Sequence, residues 1–423
     1  MNSSILDVIV IGAGHAGLGI SYYLNKLKIN HLVFEKGQVG ETWRSQRWDS
    51  FKFNTPIKVN LLPGEENTLT DVEEFWTAGE FVSLLEDYTH IFNLPVLENC
   101  EVLFVEKAAG SDYFSVTVKN GGLTRLYNSK QVIVASGAQN RKFNLEYAGN
   151  IPDEIVQLHA SEYKNPSMLP DGTILVIGSA QSGVQITEDL INTGKQVYLS
   201  TSPVARVPRR YRGKDIVEWL NMIGYYDMKT TDIKDPGTIK ARFPQISGVG
   251  KQGHTVSLQS LAKKGAVILG RTMNADSSVI YIQPDAVSNI HFADEASKTV
   301  KGMIDRYIIK SGALAPDPEE DASDYPDLSG GCASDITRFN LKEHKVSTII
   351  WTIGFKGDFS YLKVPVFDEG GNLIHNEGES NIEGLYFLGL PWMRKRKSGI
   401  IMGVREDAEY ILMKLLARKG VML

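Results

Sequence analysis

Cysteine is nearly absent: the chain of 423 residues has two, Cys100 and Cys332, and neither sits in a C-x-x-C pair. That spacing argues against dithiol redox chemistry and fits a reducing cytoplasm. Charge is close to balanced. With 45 basic residues against 50 acidic ones the net charge is −5, so nothing favours a nucleic-acid partner. No apolar run is long enough to span a bilayer, so no membrane partner is expected. The chain enters its first apolar run without a basic segment or cleavage site, so no signal peptide is expected. The eight histidines lack ligand spacing, so no metal is expected. The composition, 42% hydrophobic and 22% charged, is that of a soluble globular protein, and the length exceeds one ordinary core, so two domains are expected.

What is present begins at once. Ile5 to Ile11 is apolar and β-branched, as a buried parallel strand is. Gly12-Ala13-Gly14-His15-Ala16-Gly17 follows, then an amphipathic run to about Leu27, then Leu32-Val33-Phe34-Glu35. Gly12 suits a tight turn, Gly14 a close approach of diphosphate to backbone, and Gly17 close packing of helix on strand. The helix opening there points free N–H groups at phosphate. Glu35 closes the second strand, where a carboxylate can accept from ribose hydroxyls. Strand, glycines, helix, strand and acid in register mark a dinucleotide site.

A second unit starts at Thr173-Ile174-Leu175-Val176-Ile177, with Gly178-Ser179-Ala180-Gln181-Ser182-Gly183 as its turn and Ala180 in the middle glycine's place. Val184 to Thr193 reads as the helix, Gly194 as its cap and Gln196–Ser200 as the next strand. The residue matching Glu35 is Ser200 or Thr201, and Arg206, Arg209, Arg210 and Arg212 lie downstream. An acid would repel a 2′-phosphate, whereas a hydroxyl with an arginine would bind one, so this site suits NADPH over NADH, with Ser200 and Arg206 selecting it.

Between the units the spacing predicts a helix from Glu73 to Tyr88, a strand at Cys100–Glu106, and a hairpin through Asn120-Gly121-Gly122. A buried strand is expected at Gln131–Ala138, ending in small residues that let a ligand approach. Residues 213–262 read as a helical insertion. Val267–Arg271, Val279–Ile282 and Asn289–Phe292 read as returning strands, and Ala315–Asp321 as a linker. Val346–Phe355 mirrors the 131–138 strand, and a last helix runs from near Gly399 to about Ala417. Arg394-Lys395-Arg396-Lys397 reads as a solvated loop.

The long connection after Glu35 is rich in aromatics. Gly40-Glu41-Thr42-Trp43-Arg44, Trp48-Asp49-Ser50-Phe51 and Asn54-Thr55-Pro56 resemble the FAD-binding region of class B flavin monooxygenases, in particular flavin-containing monooxygenases and YUCCA-type enzymes. The resemblance implies an α/β architecture of two Rossmann-type domains, the NADP domain (166–324) inserted between two parts of the FAD domain (1–165 and 325–423). It implies that Gly12, Ala13, Gly14, His15, Ala16, Gly17, Glu35 and Lys36 hold the adenosine and diphosphate of FAD. It places Thr42, Trp43, Trp48, Asn54 and Thr55 along the cofactor, with Val102, Ser136, Gly137, Thr352, Gly354, Leu388, Gly389 and Ile401 as further contacts. NADPH falls to Gly178, Ser179, Ala180, Gln181, Ser182, Gly183, Ser200, Thr201 and Arg206. Asn54 is the implied catalytic residue, an amide near the reactive edge of the flavin. His159 and Tyr163 match a second fingerprint of the family, with His159 read as a hinge histidine bonded to backbone.

The implied activity is oxygenation of a small-molecule substrate by O2, activated as a flavin C4a-hydroperoxide. Nitrogen or sulfur oxygenation is favoured, with oxidation of a carbonyl acid also open. An NAD(P)H-dependent flavin reductase or oxidase without oxygen transfer, and a non-catalytic nucleotide-binding regulator, share the two-dinucleotide plan.

Overall fold

The computed structural model describes residues 5–65, 74–108, 110–240, 244, 253–326 and 336–418. Two sheets organise them, and the first is nine-stranded. At its centre β1 (Leu6–Ile11) is flanked in parallel by β2 (His31–Phe34) and β3 (Leu123–Val134). Val8, Ile9 and Val10 are fully buried, so β1 reads as a continuous apolar run instead of an alternating one. The first half of β3 leaves the parallel layer and pairs antiparallel with Phe114–Asn120, which in turn pairs with Cys100–Glu106. Gly121, at φ +56°, turns the expected hairpin.

The second sheet has five strands, all parallel. Its centre is β4 (Thr173–Ile177), flanked by β5 (Val197–Ser200) and β6 (Val346–Trp351), with Val267–Leu269 and Val156–His159 at the edges. Side chains alternate between its faces. Ile174, Val176, Leu199 and Ile350 enter one core, while Leu175, Ile177, Tyr198 and Ile349 enter the other. Residues 156–159 and 346–351 therefore belong to this sheet, outside the 166–324 range expected for the second unit.

The helices are α1 (His15–Lys26), α2 (Gln181–Asn192), α3 (Ile216–Met222), α4 (Ala286–Ser311) and α5 (Ile401–Arg418), with Ala78–Ile91 between the two units. Ala78–Ile91 starts later than the expected Glu73, which lies outside the described residues. Thr77 accepts from Glu80 N and Glu80 accepts from Thr77 N, a capping box that fixes the start. Phe75 and Trp76, expected on its inner face, are buried just ahead of it.

The strand expected at Asn289–Phe292 is part of α4 instead. Ala286, Asn289, Ile290, Ala293, Ser297, Val300, Ile304 and Ile308 are its buried residues, a helical period that shows only over a longer window. Among the described residues of the 213–262 insertion, Ile216–Met222, Pro236–Lys240 and Leu258–Lys263 are helical. Trp219, Ile216 and Leu220 pack with Val300, Ile304 and Ile308 of α4 into a small core of their own.

Candidate active site

The two glycine turns are built alike. After β1, Gly12 takes φ +104°, and a Cβ there would meet Ala135 O at 2.6 Å. After β4, Gly178 takes φ +111°, and a Cβ would meet Thr352 O at 2.7 Å. In each case the strand alongside closes on the turn, β3 through Ala135 and β6 through Thr352. Gly17 and Gly183 then let each helix rest on its turn, since a Cβ would lie 1.8 Å from Gly12 O and 1.9 Å from Gly178 O. Ala180 has the backbone of Gly14, at φ −76° and ψ −172° against φ −80° and ψ −177°. Its substitution for glycine therefore costs no backbone strain.

Glu35 is joined to the first turn. Its Oε2 accepts from Ala13 N at 2.7 Å and its Oε1 from Gly37 N at 3.0 Å. Burial pushes its pKa up, and the backbone donors oppose that shift. A cavity of about 940 Å³ opens beside it, within the size range of cofactor sites. Of the expected residues, Gly12, Gly14, His15, Ala16, Glu35, Lys36, Thr42, Trp43, Asn54, Thr55, Val102, Ser136, Gly137, Gly389 and Ile401 line it. Ala13, Gly17 and Leu388 lie behind the lining; Leu388 is fully buried and its N–H donates to Val134 O.

Trp48 is elsewhere. It is buried in the core of the second sheet with Tyr163, Val184 and Ile350, so it does not join the cavity wall. Trp43 forms that wall, stacked on Phe53 at 4.6 Å. The neighbouring loop is held from the second unit, because Ser50 Oγ and Tyr163 Oη both donate to Asp189 of α2, at 2.7 and 2.5 Å.

Further features of the lining add to the expected residues. The Arg47 guanidinium lies over Trp43 at 4.5 Å and Phe51 at 5.4 Å, and burial alone pushes its pKa down to about 10. Tyr361 Oη is hydrogen-bonded to Ser136 Oγ at 2.8 Å. His15 Nε2 and Gln46 Oε1 are buried without a partner among the described residues, and burial pushes His15 down to about 4, keeping it neutral. Gly14, where a Cβ would meet no protein atom within 4 Å, the unpartnered His15 Nε2 and Gln46 Oε1, and the Arg47 guanidinium on the lining all fit a long, anionic, hydrogen-bonding ligand such as FAD.

The second turn presents Gly178, Ala180, Gln181 and Ser182 partly exposed at the carboxyl end of β4. Ser179 Oγ donates to Ser202 O at 3.3 Å. Beyond it the expected phosphate readers are already engaged. Ser200 Oγ donates to Gly270 O at 2.9 Å and Thr201 Oγ1 to Leu269 O at 2.7 Å, both buried. Arg206 is 1% exposed, lies 2.6 Å from Asp294 Oδ1 and is ion-paired with Asp324. Two carboxylates occupy its guanidinium, so this arginine is a buried structural cation and does not present itself to a 2′-phosphate. Thr352 Oγ1 donates to Ile177 O and Gly178 O, at 2.9 and 2.7 Å. Gly354 O bonds His159 Nε2 at 3.0 Å, so His159 is fastened to backbone.

The basic run 394–397 is not a solvated loop. Lys397 pairs with Asp227 and Glu406, Lys395 with the same two carboxylates, and Arg396 and Lys397 are buried. Asp407 beside it is buried, and its pKa is pushed up to about 6 by that burial, with Ser398 and Arg394 opposing.

Residues 9–269 match the pyridine nucleotide-disulphide oxidoreductase family. An uncharacterized CzcO-like oxidoreductase of Geobacillus kaustophilus is 30% identical over 97% of this chain and 99% of its own. The probable indole-3-pyruvate monooxygenase YUCCA10 of Arabidopsis thaliana is 27% identical over 58% of this chain and 65% of its own. Among solved structures, the flavin-containing monooxygenase of Stenotrophomonas maltophilia superposes with a TM-score of 0.65 at 17% identity, covering 98% of this chain and 99% of its own. The OTEMO complex with FAD and NADP superposes at 0.57 and 14% identity, covering 99% and 87%. These superpositions match the two-dinucleotide α/β fold seen here.

Proposed function

The chain belongs to the pyridine nucleotide-disulphide oxidoreductase family, within which it resembles the class B flavin monooxygenases, and from that premise we propose an NADPH- and FAD-dependent monooxygenase acting on a small-molecule substrate. The observation that carries this reading is the pair of equivalent glycine turns, one beside an acid-tipped strand and one beside a strand ending in Ser200. The first suits FAD. The second, with no carboxylate to repel a 2′-phosphate, suits NADPH. The sulfide- and amine-oxygenating reaction is favoured over disulfide reduction because no cysteine pair stands in C-x-x-C spacing and buried Cys100 Sγ accepts a hydrogen bond from Asn120 Nδ2.

FAD, when bound, supplies the electron relay from NADPH to O2 and the transfer of one oxygen atom. The protein's own groups do the rest. The first turn and the amino end of α1 offer N–H groups to the diphosphate. Glu35, with two of its lone pairs taken by Ala13 and Gly37, keeps others for ribose hydroxyls. Trp43 and Phe53 form an apolar wall that keeps water out, with Phe51 packed against both rings. Asn54 places an amide on the lining of the same cavity and is the proposed catalytic residue. The amino end of α5, at Ile401, lines the same cavity, where its dipole would favour negative charge on a bound ring.

The test is an anaerobic titration followed by product analysis. NADPH is added to the FAD-loaded protein without oxygen, and flavin bleaching is followed. Oxygen and a panel of sulfides and amines are then admitted. Bleaching by NADPH with oxygenated product supports the proposal. Bleaching with only hydrogen peroxide identifies an oxidase, and a protein that holds no flavin identifies a nucleotide-binding regulator.

A further inference from the structure

Asn54 lies in the first unit, but its backbone is held from the second. Arg209 Nη1 donates to Asn54 O at 2.9 Å, and the Arg209 side chain is buried. The other end of the guanidinium meets Asp215, with Nη2 2.5 Å from Oδ1. Asp215 also caps α3, accepting from Val217 N at 2.8 Å. The side chain is confined by the Phe75 ring, 4.7 Å from the guanidinium carbon, and by Gly253, where a Cβ would sit 2.9 Å from the arginine Cδ, while the backbone N–H of Arg209 donates to Thr255 Oγ1.

A second tie runs parallel. Lys58, four residues beyond Asn54, pairs with Glu218 of α3 at 2.9 Å. The chain leaving α3 then pairs through its backbone with residues 394–397. Met228 O accepts from Arg396 N at 2.9 Å, Tyr226 O from Lys397 N at 3.1 Å, and Thr230 N donates to Arg394 O at 2.9 Å. The 394–397 segment leads directly into α5, whose first residue lines the cavity.

We infer that Arg209 is a positioning residue: it fixes the peptide at Asn54, and so the Asn54 amide, over the flavin cavity from the nicotinamide-nucleotide half of the molecule. This rests on the monooxygenase reading for the role of Asn54. A guanidinium suits the task because it serves two acceptors in one plane, the Asn54 carbonyl and the Asp215 carboxylate. A lysine ammonium can keep Asp215 but lacks the fork that reaches both. The link also gives the insertion a task, since its first helix carries Glu218 and is capped by Asp215, the partners of Lys58 and Arg209.

Arg209→Lys tests this, together with the charge-neutral pair Arg209→Met with Asp215→Asn, which leaves no buried carboxylate unpaired and keeps a capping residue. Folding is confirmed by thermal melting, and FAD affinity by quenching of flavin fluorescence. The expected result is FAD bound as in the unaltered protein, a displaced visible flavin band, and oxygenated product per NADPH reduced about tenfold or more, because small displacements at a reacting centre carry large rate costs. In an Asn54→Ala background the same changes should move neither band nor ratio further. An unmoved band and ratio in the folded variants, or equal further losses in the Asn54→Ala background, overturns the inference. If the unaltered protein makes only peroxide, the oxygenase reading fails, while the flavin band still decides the role of Arg209.

Discussion

The side chain of Glu35 receives the backbone N–H of Ala13 at 2.7 Å, so the acid at the end of β2 and the glycine turn after β1 form one hydrogen-bonded unit. The carboxylate braces the turn at the same time as it faces the cavity. Glu35→Gln keeps the shape but replaces one acceptor oxygen with a donor that confronts Ala13 N or Gly37 N. FAD affinity should fall by about tenfold or more, the equivalent of losing one charge-assisted hydrogen bond. Titration of the apoprotein with FAD measures it.

Gly12 and Gly14 should respond oppositely to alanine. At Gly12 the positive φ and the 2.6 Å approach to Ala135 O leave no room, so Gly12→Ala should lower the melting temperature and abolish FAD retention. At Gly14 nothing lies within 4 Å of an added Cβ, and Ala180 shows the same backbone carrying alanine. Gly14→Ala should fold normally and lose only FAD affinity, since its methyl points where diphosphate would approach. Melting curves with and without FAD separate the two.

Arg206→Ala should act on stability, not on the choice of nicotinamide nucleotide. The substitution takes the cation from Asp294, which keeps Gln259, and leaves Asp324 ion-paired with Lys301 alone, a change expected to cost about 3 kcal/mol, the low end for breaking a buried pair. Denaturant unfolding reads the loss. The ratio of KM values for NADPH and NADH in whatever fraction remains folded should stay as it was.

Arg47→Met should weaken FAD more than riboflavin. Arg47 lines the cavity on the faces of Trp43 and Phe51, with burial the one cause of its lowered pKa. A cation so placed is stabilised by an anionic ligand, and only FAD of the two carries phosphate. Fluorescence titration with both flavins decides; equal weakening would mean that Arg47 serves the ring system instead.

Asp407 gives the fold a pH dependence of defined sign. Its pKa is raised from 3.8 to about 6, mainly by burial. The folded state therefore holds this proton more tightly than the unfolded chain. The contribution of Asp407 to stability is greatest below pH 4 and is lost as the pH climbs through about 6. Asp407→Asn should flatten that part of the stability profile and leave the protein more stable at pH 7 by about 3 kcal/mol. Urea unfolding at a series of pH values measures it.

Much of this architecture is written locally. Apolar runs ending in glycine marked β1 and β4, because a parallel strand buried on both faces can hold little else, and the turns after them need residues without a Cβ. Glu35 and Ser136 were legible because each ends its strand, whereas Asn54 came only through the family resemblance; all three line the cavity. What the sequence hid depends on contacts between separate elements of the fold. Arg206 looked like a phosphate reader because Asp294 and Asp324, which engage it, lie far along the chain. Trp48 looked like its neighbour Trp43, yet the loop between them carries it to the other core. Arg394–Lys397 looked solvated because Asp227 and Glu406 come to it from two different elements. The α4 residues 289–292 misled for a different reason: four residues are too few to tell a period of two from one of 3.6.

The central claim is that two dinucleotide units in one chain direct NADPH electrons to oxygen insertion, and isotope labelling tests it most directly. The FAD-loaded protein is supplied with NADPH, a reactive sulfide and 18O2, and the product is weighed by mass spectrometry. One atom of 18O in each molecule of sulfoxide, with one NADPH consumed for each, is the predicted result. Hydrogen peroxide equal to the NADPH consumed, with sulfide recovered unlabelled and unchanged, would contradict it.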